Sequence, residues 1–137
     1  MCIQNNKIVP LQGDIIAYKL LGQKDGKFYA PFLPSYFTYK VGKTYVNNEN
    51  VVNTLKESFI GQGWYHSFKN ISDVKEWIKS CSNPKEAMML FDQYVVAEIT
   101  IHNETEGDVY LGTFFSYWLG AVDSYAAKKI TINKIIE

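Results

Sequence analysis

Arginine is absent from the chain, and all fourteen basic residues are lysines. This absence removes the guanidinium group, which binds phosphates and carboxylates through two parallel hydrogen bonds. An anionic ligand would therefore have to bind lysine ammonium groups, hydroxyl groups or backbone amides. An AT-rich genome, which also favours asparagine and isoleucine, is a second explanation of the same absence.

An excess of charge of either sign is also lacking, because fourteen acidic residues balance the fourteen lysines. A zero net charge gives no general attraction to nucleic acid or to an anionic membrane. The sequence also contains no basic stripe and no known nucleic-acid-binding motif. We therefore expect neither nucleic acid nor a membrane as a partner.

Cysteine and histidine are scarce, with two residues of each type. Cys2 and Cys81 do not make a disulfide framework, and no paired spacing of metal ligands is present. We expect no metal and no cofactor. The start of the chain lacks the pattern of a signal peptide, and no apolar run is long enough to span a membrane. These features predict a cytoplasmic protein, and 137 residues suffice for a single domain with its own core.

Aromatic residues are abundant, with ten tyrosines, eight phenylalanines and three tryptophans. This is more ring surface than a core of this size needs. Rings that are not required for the core are available to stack on a ligand. The aromatic content is therefore the main compositional indication of ligand binding.

Apolar periodicity and turn residues predict an α+β domain, mainly an antiparallel sheet with about two helices packed on one side. An Asp25-Gly26 turn is expected to join the first two strands as a hairpin. The first helix is expected to follow an Asn70 cap and to bury a stripe of apolar residues. The segment 47–59 is predicted to be a loop. The predicted strands are 14–21, 27–30, 39–46, 64–68, 94–101, 108–115 and 127–136, and the predicted helices are 71–81 and 84–91.

Candidate ligand-binding residues are rings that could stack on a base and lysines that could bind phosphate. His66 lies between Trp64 and Phe68 on one predicted strand face, where it could contact a ligand or act as an acid or base. The ordinary alternative is a hydrogen-bonded histidine at the edge of the core. Lys43 belongs to a Gly-Lys-Thr triplet, but the full phosphate-binding loop also requires glycine where Phe37 stands. The candidates are Tyr18, Lys19, Tyr36, Lys43, Trp64, His66, Tyr125 and Lys129.

Two further residues matter only if the protein is an enzyme. Removal of Met1 would place the Cys2 thiol beside a free amine, which is a possible nucleophile pair. Glu98 lies on a predicted strand and could supply a catalytic carboxylate. The ordinary alternative for Cys2 is a small residue after the initiator methionine that has no chemical role. The ordinary alternative for Glu98 is a solvated glutamate.

Five short segments, in the same order along the chain, resemble a family of small phage, prophage and gut-bacterial proteins to which no reaction is assigned. They are MCI at 1–3, AYK at 17–19, YKVGKTY at 39–45, GWYHSF at 63–68 and SYAAKKI at 124–130. The resemblance spans nearly the whole chain and implies phage or mobile-element biology. A looser likeness is to the ADP-ribosyltransferase fold, although Tyr18-Lys19 stands where those enzymes place histidine or arginine.

These observations support three hypotheses. The first is a phage-type protein that binds a nucleotide-derived signal and so counters host defence by sequestration. The second is an inhibitor of a host protein that acts through an exposed aromatic segment, at 31–37 or 113–118. The third is an enzyme that degrades a nucleotide signal with His66 as acid or base. The sequence leaves the choice among them open, and it also allows a homo-oligomer.

Overall fold

The computed structural model describes residues 3–29, 38–46, 55–56, 59–60, 64–81, 91–116 and 120–136. Within these ranges the chain forms one mainly antiparallel sheet and a single short helix, α1 (Ile71–Cys81). The sheet-dominated part of the prediction is therefore confirmed. The second predicted helix, at 84–91, lies outside the described residues except for Phe91, which is not helical.

The described strands vary from two to ten residues in length. They are β1 (Ile3–Ile8), β2 (Ile15–Lys24), β3 (Lys27–Tyr29), β4 (Thr38–Tyr39), β5 (Thr44–Val46), β6 (Leu55–Lys56), β7 (Phe59–Ile60), β8 (Tyr65–Phe68), β9 (Gln93–Ile101), β10 (Val109–Ser116), β11 (Gly120–Ala127) and β12 (Lys129–Ile136).

The sheet curls around its own core. Its strand order is β5-β12-β9-β2-β8-β11-β10-β1-β7-β6, and β3 and β4 branch from β2. Ile132 of β12 and Val109 of β10 belong to the same buried cluster, although five strand spacings separate their strands. In a flat sheet that separation would be about 24 Å, too far for shared packing. The face that carries this cluster is called the inner face below.

The helix α1 covers part of the opposite face, which is called the outer face. The backbone N–H of Asp73 donates a hydrogen bond to the carbonyl of Asn70 at 3.2 Å, at the predicted start of the helix. Val74 and Trp77 are buried, as the predicted apolar stripe requires. They pack with a second buried cluster that includes Leu20 and Phe68. The first predicted helix is confirmed.

The hairpin between β2 and β3 is also confirmed. Lys24 pairs with Lys27, so that Asp25 and Gly26 alone form the loop. Their φ angles are 51° and 76°, both in the left-handed region that a type I′ turn needs. Glycine adopts this conformation without strain, and aspartate tolerates it.

The predicted strand at 39–46 is wrong, because the chain turns in its middle. The strands β4 and β5 lie on either side of this turn, where Gly42 has a φ of 85°. Its N–H donates a 2.6 Å hydrogen bond to the carbonyl of Ile132. β4 pairs with β3, whereas β5 pairs with β12, so the turn connects two separate parts of the sheet.

Four strands were not predicted. β6 and β7 lie within or at the end of the segment assigned to a loop, and β1 and β11 fall in segments without clear apolar alternation. β1 reads IQNNKI, which is a poor strand sequence. In β11, Val122 packs on the outer face and Tyr125 on the inner face, and Ser124, Ala126 and Ala127 are also buried. Burial on both faces removes the alternation on which the prediction depends.

Alternation along the predicted strand 127–136 places Ile130, Ile132 and Ile136 on the inward face, but a bulge in β12 makes this wrong for Ile136. The pairing of β12 with β9 shifts register between Ile132 and Lys134. A bulge of this kind inserts one residue and exchanges the faces of the residues beyond it. Ile135 therefore packs against the inner cluster, and Ile136 against the cluster beneath the helix.

Gly22 of β2 is expected to be intolerant of any side chain. A Cβ at this position would lie 2.5 Å from the ring of Phe91, which also contacts Tyr29 and Tyr94 at centroid distances of 5.9 Å. We expect Gly22→Ala to lower the free energy of unfolding by about 1–3 kcal/mol through overpacking. Urea denaturation measures this loss. In a Phe91→Ala background the loss should largely disappear, and an equal loss in both backgrounds would contradict the explanation.

Candidate functional site

Lys19 is a buried lysine on the inner face of the sheet. On β2, Lys19 shares a face with Ala17 and Leu21, which are fully buried members of the inner cluster. Only 7 % of Lys19 is exposed. Burial lowers the pKa of Lys19 to about 8, because the ammonium loses the water that would solvate its charge.

The ammonium of Lys19 connects β2 to β8, two strands with little pairing between them. β2 and β8 are paired only at Tyr18 and Phe68. Next to this pair, Lys19 Nζ donates a 2.8 Å hydrogen bond to the backbone carbonyl of His66 on β8. Nζ also lies 5.5 Å from the centroid of the Tyr39 ring, in a cation–π contact.

The charge of Lys19 has no anionic partner in the part of the chain that the structure describes. Ion pairs among the described residues join His102 to Asp14 and Glu104 and join Lys129 to Glu104, and none of these three involves Lys19. An ammonium has three N–H donors, and one described acceptor, the carbonyl of His66, is within hydrogen-bond distance. Buried charges in proteins are normally paired, so Lys19 retains unused capacity to bind an anion.

Four tyrosines share the inner face with this lysine. Tyr39 and Tyr45 pack edge to face with centroids 5.1 Å apart, and both belong to the inner cluster with Tyr125. Tyr65 packs against the same cluster. Burial raises the pKa of Tyr39, with Tyr65 and Tyr45 as smaller causes. The phenol of Tyr39 therefore stays neutral near pH 7.

Two more of these tyrosines have a raised pKa. Burial is the larger cause at Tyr65, with Tyr45 as the second cause. At Tyr125 burial is again the larger cause, and the carboxylate of Asp123 adds to it. Neutral phenols present both an aromatic face and a hydrogen-bonding edge to a ligand.

Ser67 adds a hydroxyl group to the same face. It pairs directly with Tyr125 of β11, and the antiparallel Tyr18–Phe68 pair places it across from Lys19. Ser67 is 1 % exposed, and its Oγ has no hydrogen-bond partner among the described residues. A buried hydroxyl without a partner is unusual and costs stability unless a ligand or water binds it. We refer to Lys19, Ser67, Tyr39, Tyr65 and Tyr125 as the Lys19 site.

Some of the predicted ligand-binding residues come together at this site and others do not. Lys19 and Tyr125 are part of it. Lys43 lies in the turn before β5, with its Nζ 5.4 Å from the ring centroid of Tyr45. Tyr36 lies outside the described residues, as does the aromatic segment 31–37. The side chains of 114–118 also lie outside them.

Three predicted residues belong to the other side of the sheet. Tyr18 packs against the cluster beneath α1. His66 pairs with Ala126 and has the opposite orientation to Tyr65 and Ser67, so only its backbone carbonyl reaches Lys19. Trp64 is buried against Tyr110, at a centroid distance of 5.6 Å. The predicted alternation in 64–68 is correct. The ligand-binding residues were predicted on the face of His66, however, whereas Tyr65 and Ser67 on the other face belong to the Lys19 site.

A second polar cluster crosses the outer face from β9 to β5. His102 Nε2 and Thr131 Oγ1 are 2.7 Å apart, and Thr131 Oγ1 is 2.7 Å from Thr44 Oγ1. His102 Nδ1 lies 3.8 Å from a carboxylate oxygen of Asp14 and 3.9 Å from one of Glu104. Cross-strand polar pairs of this kind stabilise a sheet, and these attach the short strand β5.

Of the remaining predicted residues, Lys129 and Glu98 have polar partners. Lys129 forms a 3.4 Å ion pair with Glu104. Glu98 accepts a 3.3 Å hydrogen bond from Asn133 Nδ2. Cys2 lies outside the described residues.

In the described ranges, no three or more histidine, cysteine, aspartate or glutamate side chains are arranged to hold a metal ion. The one helix described there is too short and too polar to cross a membrane. No family model, curated protein or solved structure matches this chain.

Proposed function

We propose that the protein binds a small anionic ligand with an aromatic ring, of the nucleotide-derived class, at the Lys19 site. One observation carries the proposal: the buried ammonium of Lys19 has no anionic partner among the described residues. A phosphate or carboxylate on Lys19 would supply the missing charge. The desolvated surroundings would strengthen that contact.

The other groups of the site define the chemistry of the ligand. The Ser67 hydroxyl can donate to or accept from a polar group next to the anion. The neutral phenols of Tyr39, Tyr65 and Tyr125 provide ring faces that suit a base. A nucleotide, which carries a phosphate and an aromatic base, meets both requirements. The Lys19 ammonium can bind its phosphate without an arginine.

The wider role that we propose is sequestration of a nucleotide signal, as a phage protein that counters host defence would perform it. The resemblance of five segments to phage and prophage proteins supports this role. The orientation of His66 supports binding over conversion of the ligand. Its imidazole lies on the face opposite Ser67, away from the proposed anion site.

Thermal unfolding with a panel of cyclic dinucleotides, ADP-ribose derivatives and mononucleotides tests the proposal. A ligand at one hundred times its dissociation constant adds about 2.7 kcal/mol to the free energy of unfolding. We expect at least one nucleotide to stabilise the wild type and the Lys75→Met control, whose lysine is exposed on α1. Chromatography should recover that nucleotide unchanged. If no nucleotide of the panel stabilised the protein, the proposal would be contradicted. Recovery of a chemically converted nucleotide would indicate catalysis instead of sequestration.

Ser67→Ala is expected to separate stability from binding. Because Ser67 Oγ has no described partner, its removal should change the free energy of unfolding by less than about 1 kcal/mol. Loss of one hydrogen bond should weaken binding of the stabilising nucleotide by about 3- to 10-fold. Urea denaturation and calorimetric titration measure the two effects. A large loss of stability with unchanged affinity would show that Ser67 serves the core instead.

A further inference from the structure

We propose that Thr131, His102 and Asp14 form a second site, on the outer face, that hydrolyses small carboxylic esters through an acyl intermediate on Thr131. This site lies on the face opposite the Lys19 site and does not depend on the proposed function. Its three groups come from β12, from the residue that follows β9 and from the residue that precedes β2. They supply the hydroxyl, the imidazole and the carboxylate that the triad of serine hydrolases also combines.

The nucleophile and the base of this site are within hydrogen-bond distance. Thr131 Oγ1 lies 2.7 Å from His102 Nε2. Carboxylate oxygens of Asp14 and Glu104 lie 3.8 and 3.9 Å from His102 Nδ1, on the other side of the ring. Because carboxylates accept hydrogen bonds, they favour the proton on Nδ1 and leave the Nε2 lone pair for the Thr131 hydroxyl. Asp14 and Glu104 are thus positioning residues, and their charge stabilises the imidazolium that forms when His102 takes a proton.

A second hydroxyl and an ammonium lie beside the nucleophile. Thr44 pairs directly with Thr131, and their Oγ1 atoms are 2.7 Å apart. Since Thr131 donates its own proton to His102, Thr44 is the donor in this contact. Lys129 lies two residues before Thr131 and therefore on the same face, where its ammonium adds positive charge. Both groups can stabilise the negative oxygen of a tetrahedral intermediate.

Solvent reaches the reacting groups of this site. The side chain of His102 is 20 % exposed, and those of Asp14 and Glu104 are more than half exposed. Thr131 is half-buried and Thr44 is exposed. A small substrate can therefore approach the hydroxyl of Thr131 without a movement of the sheet.

The surroundings of the site define the class of ester. Val46 pairs with Lys129 and is 64 % exposed, and Ile16 lies one strand beyond Thr100, which pairs with Thr131. These two apolar side chains offer contacts to a short acyl chain. The two carboxylates of the cluster outnumber its one lysine, so a neutral ester is favoured over an anionic one.

The reaction consumes only the ester and water. Thr131 Oγ1 attacks the carbonyl carbon, and its proton passes to His102 Nε2. The bond to the alkoxy oxygen then breaks, and this oxygen leaves with the electron pair and takes the proton from Nε2. Water repeats the sequence on the acyl group that remains. It gives a proton to Nε2, its oxygen bonds to the acyl carbon, and the acid leaves as Thr131 Oγ1 regains that proton.

Hydrolysis of p-nitrophenyl acetate, a neutral activated ester, tests the inference. We expect the wild type to release nitrophenol at least about 10-fold faster than Thr131→Val or His102→Gln, which keep a similar size but remove the nucleophile or the base. Thr131→Ser retains a hydroxyl and should retain activity. Thr100→Val, the matched control on the neighbouring strand, should stay within about 2-fold of the wild type. Circular dichroism and thermal unfolding establish that each variant is folded.

Peptide mapping after acid quenching locates the acyl group. Nitrophenol is a better leaving group than threonine, so the acetyl group should accumulate on Thr131 of the wild type. Acetylation confined to lysines would overturn the inference, whether or not Thr131→Val folds. A folded Thr131→Val or His102→Gln as active as the wild type would also overturn it. Each of these results is independent of nucleotide stabilisation, which reports on the Lys19 site.

Discussion

Replacing Lys19 by methionine is expected to weaken binding of the stabilising nucleotide by about 10- to 100-fold and, at pH 7, to make the protein more stable. The affinity loss follows from removal of a charge-assisted hydrogen bond, which contributes about 1.5–3 kcal/mol. Methionine has a similar length and no charge to desolvate, so it fits the apolar neighbours of Lys19 on the inner face.

The gain in stability follows from the lowered pKa of Lys19. The pKa is about 8 in the folded protein and 10.5 in the unfolded chain, so folding disfavours the ammonium. This cost is fully present below pH 8 and decreases as the pH rises from 8 to 10.5. It is roughly 3 kcal/mol at pH 7 and about 1 kcal/mol at pH 9.5. Loss of the hydrogen bond to His66 offsets about 1–2 kcal/mol of it.

We therefore expect Lys19→Met to raise the free energy of unfolding by about 1–2 kcal/mol at pH 7, and to give no gain at pH 9.5. Urea denaturation of both proteins at the two pH values measures the difference, and Lys75→Met is the matched control. If Lys19→Met were less stable than the wild type at pH 7, the native ammonium would have an anionic partner. That result would remove the argument for a ligand anion.

Trp77→Ala is expected to cause the largest loss of stability, about 3–5 kcal/mol. Trp77 is 5 % exposed and packs edge to face on Tyr94, with centroids 5.5 Å apart. It belongs to the cluster that joins α1 to β2, β8 and β9 through Leu20, Phe68 and Val96. Truncation would leave a cavity that the helix cannot close without moving as a unit.

Urea denaturation measures this loss, and Lys75→Ala on the exposed side of the same helix should change stability by less than about 0.5 kcal/mol. Trp77 and the Lys19 site occupy opposite faces of the sheet. At a temperature where Trp77→Ala stays folded, its nucleotide affinity should therefore match that of the wild type within about 3-fold. A loss below 1 kcal/mol would show that α1 does not cover the outer face.

The elements that the sequence predicted well are those whose pattern is local. The apolar stripe of α1 repeats at helical spacing, and Asp25 and Gly26 both tolerate the positive φ angles of a two-residue hairpin loop. Both elements could therefore be predicted. Alternation along the predicted strand 94–101 places Val95, Ala97, Ile99 and Ile101 on one face, and in β9 all four are buried in the inner cluster. These features depend on neighbours a few residues away.

The features that were missed depend on distant parts of the chain. Ser67 and Tyr65 become site residues because the fold places β8 between β2 and β11. The bulge in β12, which moves Ile136 to the outer face, is set by its pairing with β9. The sequence predicts Lys19 as one of three lysines that could bind phosphate, but its burial without an anionic partner among the described residues depends on the fold.

The pKa of Lys19, followed through its side-chain Cε signal by NMR with and without ADP-ribose, tests the central claim most directly. Without a nucleotide we expect titration near pH 8. A bound phosphate would favour the ammonium and raise that pKa toward 10, with the other lysines unchanged. A pKa of Lys19 that stays near 8 with ADP-ribose and with every other panel nucleotide would contradict an anion site at Lys19.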